Sequence, residues 1–414
     1  MSSPLLSPAT HLNRVKSRLR IAVLSRTFST TGGGAERYSI ALVEQLAARH
    51  EIHVFAQEID HHWPDVTYHR VSAPLLKPRW INQLWFATCT WWTTRQGFDV
   101  VHSHENTWHG EVQTVHVLPV KYNLFRGLTG MYRALRWLKV VTSLRLLTYL
   151  VLERLRYAKR PGLQVVVTSD SLKAIMASTY PACNKRLSVI TPGIAMPKIP
   201  VTLQRKEEAR ALLGLPTVGR FLLFVANDYQ KKGLKTVLDA MARLPTDVLL
   251  AVVGNPAQIP LFSEQIKTLK LSQRIFFLGS LSDVQPAYEA ADCLVHPTVE
   301  DTFAMVVLEA MAHGLPVVVS GPQYCGIAGL LQHNINAVIL DDPKDASQLQ
   351  QAIDPVLTQP ALRNHLIRGA IDFASHHEWC ETAFRQEALY FSVMAEKTVS
   401  MQRGSNARGA NRSS

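Results

Sequence analysis

The chain has 414 residues, 47% of them hydrophobic, and carries a formal net charge of +12. It exceeds the length at which one core usually stops growing, so two globular domains are expected, and no apolar run reaches the roughly 20 residues that cross a bilayer as a helix. Five scattered cysteines, Cys89, Cys183, Cys293, Cys325 and Cys380, form no C-x-x-C pair, which argues for reduced thiols and against a zinc site.

The positive charge is segregated. Residues 1–20 carry four Lys or Arg and no acid, residues 121–160 carry ten against Glu153 alone, and residues 397–414 carry four against none, so the rest of the chain is net acidic. A basic belt of this kind points to an anionic partner such as a membrane surface or nucleic acid. Segments 1–19 and 397–414 read as disordered basic tails. The opening "MSSPLLSPATHLNRVKSRLR" has no apolar stretch ahead of the first strand, consistent with a cytosolic chain.

In chain order, "RIAVLS", "EIHVFA", "DVVHSH", "VQTVHV", "LQVVVTS" and "LSVIT" alternate with helix-period segments in the first half. "FLLFVAN", "VLLAVVG", "IFFLG", "CLVHP", "LPVVVS" and "NAVIL" do so in the second. Near-continuous apolar strands separated by amphipathic helices predict parallel sheets covered on both faces. Two such series predict an α/β chain of two doubly wound, Rossmann-like domains, residues 20–192 and 193–377, joined near "TPGIAMPKIP" (Thr191 to Pro200), where Pro and Gly cluster. Ligands of doubly wound sheets bind beyond the carboxyl ends of the strands, so the chemistry belongs at strand-to-helix turns facing a cleft.

Three turns stand out. In "TTGGGAERYS", Gly32, Gly33 and Gly34 allow backbone N–H groups to approach an anion at a helix amino end. A dinucleotide fingerprint fails there, because Arg37 stands where the third glycine belongs. In "ANDYQKKGLK", Asn227, Lys231 and Lys232 precede Gly233 at a helix start, where a diphosphate would be neutralised. In "EDTFAMVVLEAMAHGLPVVVS", a helix expected from about Phe303 to His313 has Asp301 at its mouth and Glu309 in its body.

Eight residues of helix span roughly 12 Å, too far for a carboxylate pair acting on one bond. The spacing suits two ends of one long polar ligand, with the N–H groups of Ala304, Met305 and Val306 between them. A bland alternative makes Asp301 an N-cap and Glu309 a surface residue; apolar neighbours weaken it for Glu309, since a carboxylate among them needs a partner.

The "D-T-F-A-M-V-V-L-E-A-M-A-x-G-L-P-V-V" run resembles the signature of the family 4 glycosyltransferases, and the glycine loop and "NDYQKKG" turn are similar to that family's two other donor-site elements. The resemblance spans roughly residues 20–390. "LLTYLVLERLRYAKR", "ITPGI" and "PQYCGIAGLL" most resemble glucosyltransferases of the bacterial lipopolysaccharide core.

The resemblance implies the GT-B fold, a final helix (378–396) crossing back to the first domain, and retaining, metal-independent hexosyl transfer from a nucleotide diphosphate sugar, UDP-glucose or similar. The acceptor would be a lipopolysaccharide core or other membrane-associated glycan. It assigns Glu309 to the ribose hydroxyls, Lys232 and Lys231 to the diphosphate, and Asp301, where many members have Glu, to the donor sugar. His116 would contact the sugar, and Phe303, Ala304, Met305, Val306 and Asn227 would border the donor, Ala304 replacing a common Gly. Lys231 stands where related chains hold Arg, keeping charge but losing the bidentate fork. No cofactor or metal is implied, and no D-x-D occurs to hold a metal diphosphate.

The belt of residues 121–160, with Phe125, Tyr132, Trp137 and many leucines, suits helices lying on an anionic membrane surface. Together with the resemblance, this implies a chain peripheral on the cytoplasmic face of a bacterial inner membrane; the alternative packs those leucines on the sheet. Two rival functions remain open from sequence: a catalytically inactive scaffold or partner subunit, and a basic nucleic-acid-binding protein.

Overall fold

The apolar runs build two parallel sheets. A computed structural model describes residues 18–29, 33–75 and 77–410, with side chains through residue 398. The first half contributes strands β1 (Arg20–Leu24), β2 (Thr27–Phe28), β3 (Glu51–Ala56), β4 (Glu58–Ile59), β5 (Val66–Arg70), β6 (Val100–Ser103), β7 (Val112–Val115), β8 (Gln164–Val167) and β9 (Leu187–Val189). The second half contributes β10 (Arg220–Ala226), β11 (Val248–Gly254), β12 (Ile275–Gly279), β13 (Cys293–His296), β14 (Val317–Ser320) and β15 (Val338–Leu340).

The first sheet runs β5-β3-β1-β6-β7-β8-β9 and the second β12-β11-β10-β13-β14-β15, every pairing parallel, while β2 and β4 form a separate two-stranded ribbon. Both sheets reverse direction of winding beside their first strand, the switch point at which doubly wound sheets bind ligands. All twelve apolar runs are strands. The edge strand β5, "VTYHR", gives no apolar signal because half of it faces solvent, and its register against β3 is set by pairing alone.

Leu222, Phe224 and Val252 pack on one face of the second sheet, and Leu223, Ala251 and Leu294 on the other, so it is buried on both sides. The helix Gly34–Ala47 covers the first sheet with Leu42, Val43 and Leu46. The last helix spans Trp379–Ala410 and returns to the first domain, where Ala383, Tyr390 and Val393 are buried in its core. Gly193 makes the return possible: a Cβ there would lie 2.6 Å from the Trp379 backbone.

Two boundaries differ from the sequence reading. The helix continues beyond residue 396 to Ala410, and Lys397 pairs with Glu111 at 2.5 Å and donates to the Asp99 carbonyl at 2.7 Å, so 397 begins no disordered tail. At the other end Leu19 is buried and its N–H donates to His50 Nδ1. Residues 1–17 and 411–414 lie outside the described residues.

Candidate functional site

Between the two sheets lies a cavity of about 440 Å³. Gly33, Gly34, Glu36, Arg37, Tyr38 and His116 line it from the first domain, and Asn227, Lys232, His296, Asp301, Phe303, Ala304, Met305 and Val306 from the second. These groups lie at or beyond the carboxyl ends of strands, as doubly wound topology requires. Gly32 lies outside the described residues. A cavity of about 480 Å³ beside the interdomain linker, lined by Pro197, Leu203, His313 and Ile371 among others, contains neither the glycine loop nor Lys232 and Asp301. The chemistry therefore belongs to the cleft.

Lys232 and Asp301 form its ionic centre. Lys232 Nζ is 2.5 Å from Asp301 Oδ2 and donates to the Glu300 carbonyl at 3.0 Å, while His296 Nε2 stands 3.2 Å from the same carboxylate oxygen. Asp301 Oδ1 accepts from the Phe303 N–H at 3.2 Å. Burial alone would raise the Asp301 carboxyl, but the His296 hydrogen bond and the Lys232 charge hold it well below the usual carboxylate range. Burial lowers the His296 imidazole, against the raising effect of the Asp301 carboxylate beside it.

Gly233 permits the lysine turn. Its φ is +85°, and a Cβ would sit 2.0 Å from the Pro297 carbonyl oxygen. Lys231 is not brought into the cavity: its side chain is more than half exposed and its Nζ is 3.1 Å from Glu300 Oε1.

The carboxylate helix spans Met305–Ala312, starting two residues later than its sequence suggests. Ala304 precedes it in the left-handed region, φ +75°, the conformation a glycine takes without strain, so Asp301 is not the cap. Glu309 does not line the cavity in this conformation. Its Oε1 is 3.0 Å from Arg37 Nη1 across the cleft, and its Oε2 accepts from the Tyr288 hydroxyl at 2.6 Å. These are the partners a carboxylate among buried neighbours requires. The glycine-loop sequence contained Arg37, but nothing in it signalled the contact; Tyr288 and His296 carried no signal at all.

His116 lines the cavity from the end of β7, its Nε2 2.9 Å from His104 Nδ1 and the two rings stacked. Behind them His102 bridges the Tyr390 hydroxyl and Thr114 Oγ1, each at 2.6 Å, a structural role that ties the return helix to β6. Burial pushes His102 and His116 down to about 3, with Arg156 adding to the shift, and lowers His104 strongly.

Comparison with known proteins decides the family. Residues 32–196 match the family described as Glycosyltransferase Family 4, and residues 205–373 match Glycosyl transferases group 1. The chain belongs to the family 4 glycosyltransferases. It is 27% identical to the lipopolysaccharide glucosyltransferase WaaG of Escherichia coli K12 over 55% of its own length and 61% of the relative's. It is also 27% identical to the uncharacterized glycosyltransferase MJ1607 of Methanocaldococcus jannaschii, over 56% and 60%. The chain thus spans about three-fifths of the length of these curated relatives.

Among solved structures, that of WaaG superposes with a TM-score of 0.75 at 22% identity, covering 89% of this chain and 98% of that one. Anabaena HepE in complex with UDP and glucose gives 0.71 at 18%, covering 91% and 100%. These likenesses establish the GT-B fold: two Rossmann-like domains facing across a cleft.

Outside the cleft, the chain carries an exposed apolar and basic surface. The belt forms helices Val120–Phe125, Gly130–Val141 and Leu144–Arg156. Met131, Tyr132, Leu135, Leu138, Val141 and Leu144 are exposed, Met131 at 71% and Leu138 at 60%, so these side chains do not pack on the sheet. Glu153, the belt's one acid, is turned inward, accepting from the Val120 and Lys121 N–H groups and from the Tyr180 hydroxyl. No helix among the described residues is long and apolar enough to cross a membrane.

Proposed function

We propose that this chain transfers a hexose, with retention and without a metal, from a nucleotide diphosphate sugar to a lipopolysaccharide core or other membrane-associated glycan. UDP-glucose is the donor favoured by the resemblance to WaaG and HepE. The observation that carries the proposal is the cleft itself: Lys232 and Asp301 on one wall, a helix amino end at Met305, and Gly33, Gly34 and His116 on the opposite wall.

In this reading the second domain holds the donor. Glu309 takes the ribose hydroxyls, Lys232 and the N–H groups of Met305 and Val306 take the diphosphate, and Asn227, Phe303 and Ala304 border it. Asp301 and His116 contact the sugar. Lys231, paired with Glu300 at the rim, serves as an outer diphosphate cation only if its side chain turns inward. The bond from the sugar anomeric carbon to the departing phosphate oxygen breaks, and a bond from the acceptor hydroxyl oxygen to that carbon forms on the same face. The hydroxyl proton passes to the leaving diphosphate, which fixed positive charge stabilises.

The exposed apolar and basic face of residues 121–160 supports peripheral attachment to the anionic cytoplasmic face of a bacterial inner membrane. No cofactor is assigned.

The testing experiment is a calorimetric screen of the full chain against UDP, GDP, ADP and their sugars with EDTA present, repeated on Glu309→Ala. Saturable binding of one nucleotide, weakened by the substitution, supports the proposal. Absence of binding to all of them overturns it in favour of an inactive scaffold.

A further inference from the structure

The cations expected to receive the diphosphate are not both available where the sequence places them. Lys231 lies outside the cavity, its charge paired with Glu300. Lys232 lines the cavity but is matched by Asp301 at 2.5 Å. The arriving diphosphate thus meets a compensated pair. Among the described residues lining the cavity, one further permanent cation is present, Arg37, and it comes from the opposite domain.

Arg37 occupies the first turn of the helix Gly34–Ala47, and that helix meets the helix Met305–Ala312 at their amino ends: a Cβ on Gly34 would stand 3.7 Å from Met305 Cγ. One turn further along, Arg37 Nη1 is 3.0 Å from Glu309 Oε1. The Arg37 side chain remains 39% exposed, so it is not locked in a packed core. The distance from Glu309 back to the helix amino end at Met305 is four residues, roughly 6 Å along the axis, within the swing of an arginine side chain.

We infer that Arg37 is a diphosphate-binding residue, supplied by the first domain and released when the donor ribose takes Glu309. The inference rests on the donor-site reading above. Glu309 accepts from hydroxyls once ribose is bound and gives up its ion pair, and the freed guanidinium turns to the phosphate oxygens one helical turn away. Arginine suits that role because its planar fork binds phosphate in two-point fashion and it stays charged. The exchange also links chemistry to closure, since the phosphates then hold a first-domain cation against the second-domain helix.

The test measures nucleosides and their diphosphates separately. Wild-type chain, Arg37→Met and Arg37→Lys are titrated calorimetrically with uridine and UDP, and in parallel with the guanosine and adenosine pairs, after thermal melts confirm that the variants fold. The inference expects Arg37→Met to weaken the diphosphate roughly tenfold or more, the loss of one charge-assisted hydrogen bond, while the nucleoside binds as well as before or better, Glu309 being freed. Arg37→Lys recovers part of the diphosphate affinity. Nucleoside and diphosphate affinities that rise together in Arg37→Met would make Arg37 a latch alone and overturn the inference, as would equal losses of both. If the wild-type chain binds no nucleotide in any series, the donor-site reading falls and takes the inference with it, an outcome distinct from selective loss in the variant.

Discussion

The Thr302 hydroxyl donates to the His116 carbonyl oxygen at 2.6 Å, joining the carboxylate segment of the second domain directly to the end of β7 in the first. The Thr302 carbonyl completes the seam by accepting from Ser169 Oγ at 2.7 Å. Behind it Gly326 leaves no room: a Cβ would lie 2.0 Å from the Thr302 oxygen and 2.7 Å from Ser169 Oγ. This seam holds the cleft closed beside Asp301.

Thr302→Val should loosen that closure by about 1 kcal/mol, one neutral hydrogen bond. Gly326→Ala should do more, because the new methyl displaces the accepting carbonyl. Small-angle scattering should show a larger radius of gyration in both variants, and KM for the donor should rise. An unchanged radius in Gly326→Ala would show that the seam does not control closure.

Lys232→Met should lower kcat about a hundredfold, the usual loss when a fixed charge at a developing anion is removed. Asp301→Ala should chiefly change sugar preference and turnover, and Glu309→Ala should chiefly weaken nucleotide binding. Competition assays with UDP and UDP-glucose separate the two. Equal loss of UDP affinity in Asp301→Ala and Glu309→Ala contradicts the division of labour along the helix.

The buried histidines give a pH dependence of defined sign. His102 and His116 are pushed down to about 3 by burial, so both are neutral in the folded chain near neutrality and protonate more readily once unfolded. The unfolded state therefore binds more protons below about pH 6.5, and stability is lost as pH falls from there toward 3. Each histidine contributes up to about 1.4 kcal/mol per pH unit in that window. Urea midpoints at pH 7.5, 6.5 and 5.5 should fall in sequence. His102→Asn, which removes one titrating ring, should give a shallower slope; an identical slope would place the dependence elsewhere.

Vesicle co-sedimentation tests the basic face. The full chain should bind phosphatidylglycerol-containing vesicles more strongly than neutral ones, and rising salt should weaken binding because surface charge is screened. Leu138→Glu combined with Met131→Glu should lower binding without affecting the melt, since both side chains are exposed. Equal affinity for neutral and anionic vesicles would count against an electrostatic contribution.

The strand ladder was legible because buried parallel strands must be continuous apolar runs, and β5 was not, because an exposed edge imposes no such pattern. The local parts of the site were legible for a similar reason. Gly33, Gly34, Lys232 and Asp301 sit at short strand-to-helix turns, and Glu309 in the helix that follows one, so their chemistry follows from neighbours in sequence. Glu309 could even be read as needing a partner, since a carboxylate among apolar side chains must have one.

Which partner it has was decided only by the tertiary structure. Arg37 and Glu309 are separated by 272 residues, and Tyr288 and Glu309 by 21, with nothing local to connect them. The same holds for Lys231, whose sequence position beside Lys232 suggested a shared role and whose side chain instead pairs with Glu300 at the rim. Sequence determined the strands and the local turns between strand and helix, because backbone periodicity and turn chemistry act over a few residues. The fold determined which of them meet, because ion pairs and hydrogen bonds across a cleft depend on how two separately wound sheets come together.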